Sequence, residues 1–209
     1  MAKHVGVLGS GIVGLALAQG FKKYGSDVAI GSHDGHKVEG WDGDVGTFKD
    51  VAEKSDILVL AVKGTKAEDL VQRLADQLAG KIIIDVTNPI ADLPPVGGVL
   101  KYFTSLDESL MERLQKAVPK ARFVKAFNSI GSAYMVDPDF GDTPSMFICG
   151  DDAGAKKEVT EILKQFGFEA EDMGEVQAAR AIEPLCMLWC IPGIASGDWS
   201  PRAFKFLKK

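Results

Sequence analysis

The chain has 209 residues, 46% hydrophobic and 25% charged, and 24 Lys and Arg against 29 Asp and Glu leave it at a net charge of −5. This is the composition of a globular chain long enough to bury a sizeable core, and it excludes disorder as the default state. The acidic balance excludes a general electrostatic grip on nucleic acid or anionic lipid, so neither nucleic acid nor a membrane is an expected partner, while one local cationic pocket remains open.

Lys3 and His4 lead straight into an apolar run, His4-Val-Gly-Val-Leu8, which reads as a buried strand, and no signal peptide is expected. Residues 12–24 carry Val13, Leu17, Phe21 and Tyr24 at helical spacing, with Gly25 placed to stop the helix. Val28-Ala-Ile30 is a second buried strand, residues 35–47 are rich in glycine and aspartate and read as loop, and 48–54 reads as a short helix. The clearest strand is Asp56-Ile-Leu-Val-Leu-Ala-Val62. A helix over 66–78, a fourth strand over 81–85 and a Pro/Gly-rich loop over 90–98 follow. Then come a helix over 106–117, a fifth strand over 122–126, and a loop with Pro138 and Pro144. The remainder predicts a strand at 145–149, a helix at 153–166, a strand near 168–173 and a last helix from 176 to about 190. Its longest apolar stretch, 182–195, is broken by Glu183, Pro184 and Pro192, so no membrane span is expected.

Strands alternate with helices, and the strands are short apolar runs of the kind buried on both faces. The pattern predicts an α/β fold with a doubly wound, mostly parallel sheet. We read 1–209 as one domain, with a dinucleotide-binding core at 1–136 and a C-terminal extension of the same sheet at 137–209. The three cysteines, Cys149, Cys186 and Cys190, form no CxxC pair, which argues against a disulfide framework and against a zinc site. Free thiols fit a reducing compartment, so a cytoplasmic location is expected. Cys186 and Cys190 share a helical face and read as small core residues.

Gly9-Ser10-Gly11-Ile12-Val13-Gly14 is a G-x-G-x-x-G that directly follows a strand and opens a helix, the context in which it signals a dinucleotide. Gly9 makes the turn, Gly11 admits a pyrophosphate, and Gly14 lets helix and strand pack closely, with the helix N-terminus facing the phosphates. NAD-binding folds usually place a carboxylate at the end of the second strand for the ribose 2′-hydroxyl. Here that place holds Gly31-Ser32-His33, with Lys37 beyond. Ser32 offers a hydrogen bond and His33 and Lys37 offer positive charge, which predicts NADP over NAD, with Asp34 turned outward or capping the turn before Gly35.

Ligands of open α/β sheets lie beyond the carboxyl ends of the strands. Ala61-Val62-Lys63 is expected to run past the adenosine ribose toward the pyrophosphate. Asn88-Pro89 and Ala126-Phe127-Asn128 are expected to flank the nicotinamide, since asparagine offers donor and acceptor without titrating. No histidine lies near that end, and Lys63 and Lys125 have no obvious orienting partner, so no catalytic side chain and no metal ligand is expected. A site without an acid or base suits hydride transfer to a second redox cofactor, which needs stacking, alignment and exclusion of water.

These segments, together with Val124-Lys-Ala-Phe-Asn128, Cys149-Gly-Asp-Asp152 and Arg180 with Glu183-Pro-Leu185, resemble the F420-dependent NADP oxidoreductases over nearly the whole chain. The Val-Lys-Ala-Phe-Asn motif is similar to a related branch, the NADPH-binding domain of the STEAP metalloreductases. The resemblance implies a Rossmann-type NADP-binding fold, an oxidoreductase activity, and a 2′-phosphate held by Ser32, His33 and Lys37, with His33 in place of the more usual Arg. It leaves the hydride acceptor open among F420, FMN, FAD and a small molecule. A second ring would sit against Ile130, Met135, Cys186, Met187, Trp189 and Ile191, unless that stripe is core or the contact of a homodimer. Arg180 and Glu183, three apart on one helix, are expected to pair. The rival readings are an NADPH-dependent reductase of a small carbonyl or imine and a non-catalytic NADP(H) sensor.

Overall fold

The computed structural model describes residues 3–209. Its centre is a six-stranded parallel sheet of order β3-β2-β1-β4-β5-β6. The strands are β1 (His4–Leu8), β2 (Asp27–Ser32), β3 (Asp44–Thr47), β4 (Ile57–Leu60), β5 (Ile82–Asp85) and β6 (Arg122–Lys125). Period-two alternation divides their side chains between two faces. Val7, Ile30, Val59, Ile84 and Val124 pack with Leu17 and Phe21 of α1 (Ile12–Lys23) and with Val159 and Leu163 of α6 (Ala153–Gln165). Leu58, Leu60, Ile83 and Phe123 pack on the other face against α2 (Phe48–Lys54), α3 (Gly64–Arg73), α4 (Ala75–Leu78) and α5 (Leu110–Ala117). Strand order reverses between β1 and β4, so the ends of these two strands open a crevice.

Several elements differ from the sequence expectation, among them the helix expected over 106–117, which starts at Leu110 because Ser109 caps it. The glycine- and aspartate-rich stretch yields β3, an edge strand whose Ala29↔Asp44 register follows β2. It has one large apolar residue, Val45, and thus no alternation to read. The helix expected over 66–78 is two, because Leu74 leaves helical geometry at φ −101°, ψ 12°. The C-terminal strands β7 (Ser145–Ile148) and β8 (Glu169–Asp172) pair in parallel with each other as a separate ladder. They meet the main sheet through one antiparallel bridge, Lys125–Cys149, and so extend it less than expected.

The last helix, α7 (Ala179–Ser196), runs six residues past the expected end and through Pro192. It stops at Gly197, whose φ of +73° is the left-handed cap that glycine adopts without cost. The segment Val176–Ser196 is long and apolar enough to cross a membrane by length and composition, and 28% of its most apolar stretch is buried. Its first turns are nonetheless core of this domain, since Glu183 is tied into the interior.

Candidate functional site: the crevice at the strand ends

Gly9 leaves β1 at φ +136°, and a Cβ there would sit 2.2 Å from the Ala61 carbonyl oxygen. A Cβ on Gly14 would lie 2.0 Å from the Gly9 carbonyl oxygen. Both glycines are therefore required by the fold itself. Gly11 differs, because a Cβ there would meet nothing within 4 Å. It is the N-cap of α1 and offers no side-chain cap, so the first N–H groups of a twelve-residue helix face open space. That is a cradle for an anion, and it fits a pyrophosphate.

A cleft of about 500 Å³ begins at this point. Of the sequence-selected residues, Gly11, Ile12, Val13, Ala61, Val62, Lys63 and Asn88 line it. Ile12, 76% exposed on this wall, presents apolar surface on which a ring can stack. Gly64, Thr65, Val86, Thr87, Ile90 and Asp92 complete the wall, whose exposed surface is mostly apolar. Lys63 and Asp92 form a long ion pair of 3.9 Å, and Thr65 donates to Asp92 at 3.4 Å.

Ser10 is exposed on the same loop. At the end of β2, Ser32 is 7% exposed, and its Oγ donates to Asp34 Oδ1 at 3.3 Å. The Asp34 carboxylate also accepts from the His36 backbone N–H, which caps the turn and holds its pKa below the usual range, with the nearby His36 ring adding to the effect. Asp34 thus caps the turn, as expected, but it also engages the hydroxyl expected to serve a 2′-phosphate. His33 and Lys37 are exposed beside it.

The turn after β5 is pinned from several sides. A Cβ on Gly64 would lie 1.9 Å from the Asn88 carbonyl oxygen, a close approach that the sequence reading did not single out. Asn88 Nδ2 donates to the Asn128 carbonyl at 2.9 Å, and Asn128 Nδ2 donates back to Asn88 Oδ1 at 3.2 Å and to the Ile182 carbonyl at 3.0 Å. Asn128 is 4% exposed, and its Oδ1 has no hydrogen-bond partner. Pro89 and Ala126 are buried. Asn88 is thus the residue on the cleft wall, and Asn128 stands behind it. Phe127, between Ala126 and Asn128, has φ +60°, a strained value for a bulky residue. Its ring is locked 5.9 Å from both Phe166 and Phe168.

Lys125 corrects the sequence reading. It has orienting partners, and they come from distant segments: Asp85 Oδ2 at 2.7 Å, Glu183 Oε1 at 3.1 Å and the Thr87 carbonyl at 2.8 Å. Glu183 therefore does not pair with Arg180. Arg180 instead reaches Glu112, with Nε 2.9 Å from Oε2. Glu112 also closes a capping box with Ser109 at the start of α5.

The stripe expected to wall a second ring is mostly committed elsewhere. Ile130 and Met135 are in the core, Cys186 is buried, and Trp189 Nε1 donates to the Arg202 carbonyl at 3.0 Å beside Trp199. Met187 lines a smaller cleft of about 270 Å³ with Tyr102, Leu106 and Arg180, and Ile191 is half-buried. Among the described residues, no group of three or more His, Cys, Asp or Glu could hold a metal ion.

A family model described as "NADP oxidoreductase coenzyme F420-dependent" matches residues 4–89. A crystal structure of a candidate F420-dependent NADP reductase from Arthrobacter sp. FB24 superposes with a TM-score of 0.88 at 30% identity, covering 98% of this chain and 99% of that one. The rat metalloreductase STEAP3 is 33% identical over 198 residues, 91% of this chain, and this chain spans 38% of its length. The F420-dependent NADP reductase of Methanothermobacter thermautotrophicus is 27% identical over 205 residues, with 90% of this chain and 88% of that protein covered.

Proposed function

Because the chain belongs to the F420-dependent NADP oxidoreductase family, we propose that it transfers a hydride between NADP(H) and a second redox cofactor, a deazaflavin such as F420 or a flavin, held face to face. The observation that carries this reading is the single cleft that joins the uncapped start of α1 at Gly11 to Asn88 along an apolar wall. When bound, NADPH would supply the hydride, or NADP+ would accept it. The protein's residues bind, orient and keep out water.

The N–H groups at the start of α1 take the pyrophosphate, while Gly9, Ser10 and Gly11 shape the approach. Ser32, His33 and Lys37 hold the 2′-phosphate, with Asp34 as an opposing charge that tempers the preference over NAD. Ala61, Val62 and Lys63 lie along the dinucleotide. Ile12, Val13 and Ile90 offer apolar surface to a ring, and Asn88 fixes the amide end of the nicotinamide. Asn128, Pro89 and Ala126 act from behind by holding Asn88 in place.

The outer side of α7, where Leu188 is 56% exposed, supports a homodimer as the working form. Three free cysteines support a reducing, cytoplasmic setting. The test is anaerobic NADPH oxidation at 340 nm with F420, FMN and FAD offered separately. Turnover with one of them identifies the acceptor. Tight NADPH binding with no turnover on any of the three refutes the proposal and favours a carbonyl or imine substrate or a sensor.

A further inference from the structure

We propose that Lys125 is a positioning residue for hydride transfer, fixing the Thr87–Asn88 turn and through it the seat of the nicotinamide. The inference rests on the hydride-transfer reading above. The Lys125 side chain is 0% exposed, and its ammonium has three partners: it forms ion pairs with Asp85 and Glu183 and donates to the Thr87 carbonyl. Burial pulls its pKa down, but the two carboxylates more than offset this, and the lysine stays charged.

Two carboxylates face one ammonium, and the excess negative charge is absorbed locally. Glu183 Oε2 and Oε1 accept from the Leu110 and Met111 backbone N–H groups, each at 3.0 Å, at the positive end of α5. Asp85 Oδ1 accepts from the Thr87 N–H at 2.9 Å and from its hydroxyl at 2.7 Å. The opposite oxygen, Oδ2, meets the ammonium as an ion pair without a hydrogen bond. Thr87 is thereby gripped at its N–H, its hydroxyl and its carbonyl, by two charged side chains, one residue before Asn88.

A buried ion pair is a weak source of net stability, because desolvation consumes most of the attraction. Its stronger effect is to allow one arrangement only. The turn after β5 and the start of α7 meet twice: through Lys125 and Glu183, and through Asn88, Asn128 and the Ile182 carbonyl. Ile182 and Glu183 are adjacent, so both links enter α7 at one point. Two hydrogen bonds tie Asn88 to Asn128 within this frame, so a shift of the frame moves Asn88. Asn88 is the only member of the frame besides Thr87 that lines the cleft.

Lys125→Met alone strands two buried carboxylates, so the deciding variant is the uncharged triple Asp85→Asn, Lys125→Met, Glu183→Gln, which nearly keeps the volume while removing the ammonium donors and one of the two oxygens that Glu183 offers to α5. Three quantities are measured on the full chain: NADPH affinity, the emission of bound NADPH, and the single-turnover hydride rate to whichever of F420, FMN or FAD the wild type uses. Expected is a folded variant with NADPH affinity within about threefold, since the phosphate loops are untouched. Its bound-nicotinamide emission shifts and its hydride step slows ten- to hundredfold. A folded variant with wild-type emission and a hydride rate within threefold overturns the assignment and leaves Lys125 a structural residue. If the wild type transfers hydride to none of the acceptors, the functional reading fails by itself. The emission of bound NADPH then still decides: an unchanged spectrum overturns the role of Lys125, and a shifted one upholds it as the determinant of the nicotinamide seat. A wild type that binds no NADPH overturns both.

Discussion

Gly11→Val separates the fold's use of the glycine loop from the ligand's. Gly11 sits at φ −77°, ψ 178°, which valine adopts freely, and a Cβ there meets no atom within 4 Å. The cost to folding is that of a poor N-cap in place of a good one, about 1 kcal/mol, or a fall in Tm of roughly 2–4 °C for a chain of this size. The cost to binding is larger, because the isopropyl group fills the space in front of the first N–H groups of α1. Charge-assisted hydrogen bonds contribute about 1.5–3 kcal/mol each, so losing two weakens NADPH by about 3 kcal/mol or more, beyond roughly 100-fold. Titration by quenching of tryptophan emission, beside a thermal melt, reads both quantities. The contrasting variant is Gly14→Ala, whose Cβ would lie 2.0 Å from the Gly9 carbonyl oxygen. It should lower stability by more than about 3 kcal/mol. A well-folded Gly11→Val that binds NADPH within threefold of wild type would refute the assignment of the phosphates to this loop.

Ser32→Asp adds a second carboxylate beside Asp34 and should shift preference from NADPH toward NADH by roughly 1–3 kcal/mol. Asp34→Asn should shift it the other way, and the ratio of the two dissociation constants reads both. Glu112→Gln removes a carboxylate whose pKa is lowered to about 2, chiefly by the hydrogen bond from Arg180 and then by those from Ser109, against a burial effect that raises it. A lowered native pKa stabilises above the ordinary value of 4.5, and the benefit disappears as pH falls toward 2. The variant should therefore melt below wild type at pH 7 and converge with it by about pH 2; a gap that stays constant with pH contradicts the ion pair. Native alkylation at pH 8 followed by mass mapping should label Cys190 and spare Cys149, whose thiol is buried and raised to about 12. Rapid labelling of Cys149 would mean that the contact between β7 and β6 opens readily.

Much of the frame is legible in the residues themselves. The β1–loop–α1 unit can be read because three glycines at fixed spacing separate an apolar run from a helical one. Helix α2 occupies residues 48–54 as expected, and Thr47 caps it by accepting from the Asp50 N–H. What escapes reading is whatever depends on partners remote in sequence. Nothing around Lys125 announces Asp85 or Glu183, and nothing around Glu183 shows that α5 turns its N–H groups toward it. Asn128 reads as a wall residue because it follows a strand end. Its retreat behind Asn88 follows from the positive φ of Phe127, which its local sequence does not signal. The Asp34–Ser32 contact escapes reading for a simpler reason: either orientation of that carboxylate is compatible with the turn.

Helix α7 is built like a cantilever. Its root at Ile182 and Glu183 is clamped by Asn128, Lys125 and the start of α5, whereas beyond Pro184 it carries Leu188 out into solvent. Backbone amides at the root should exchange with deuterium only when the whole domain opens, and those of the outer turns through local fraying. The helix therefore contributes two different stabilities to one chain. Anything that settles on its outer turns strengthens the looser half and leaves the clamped half, and the crevice it supports, as they are.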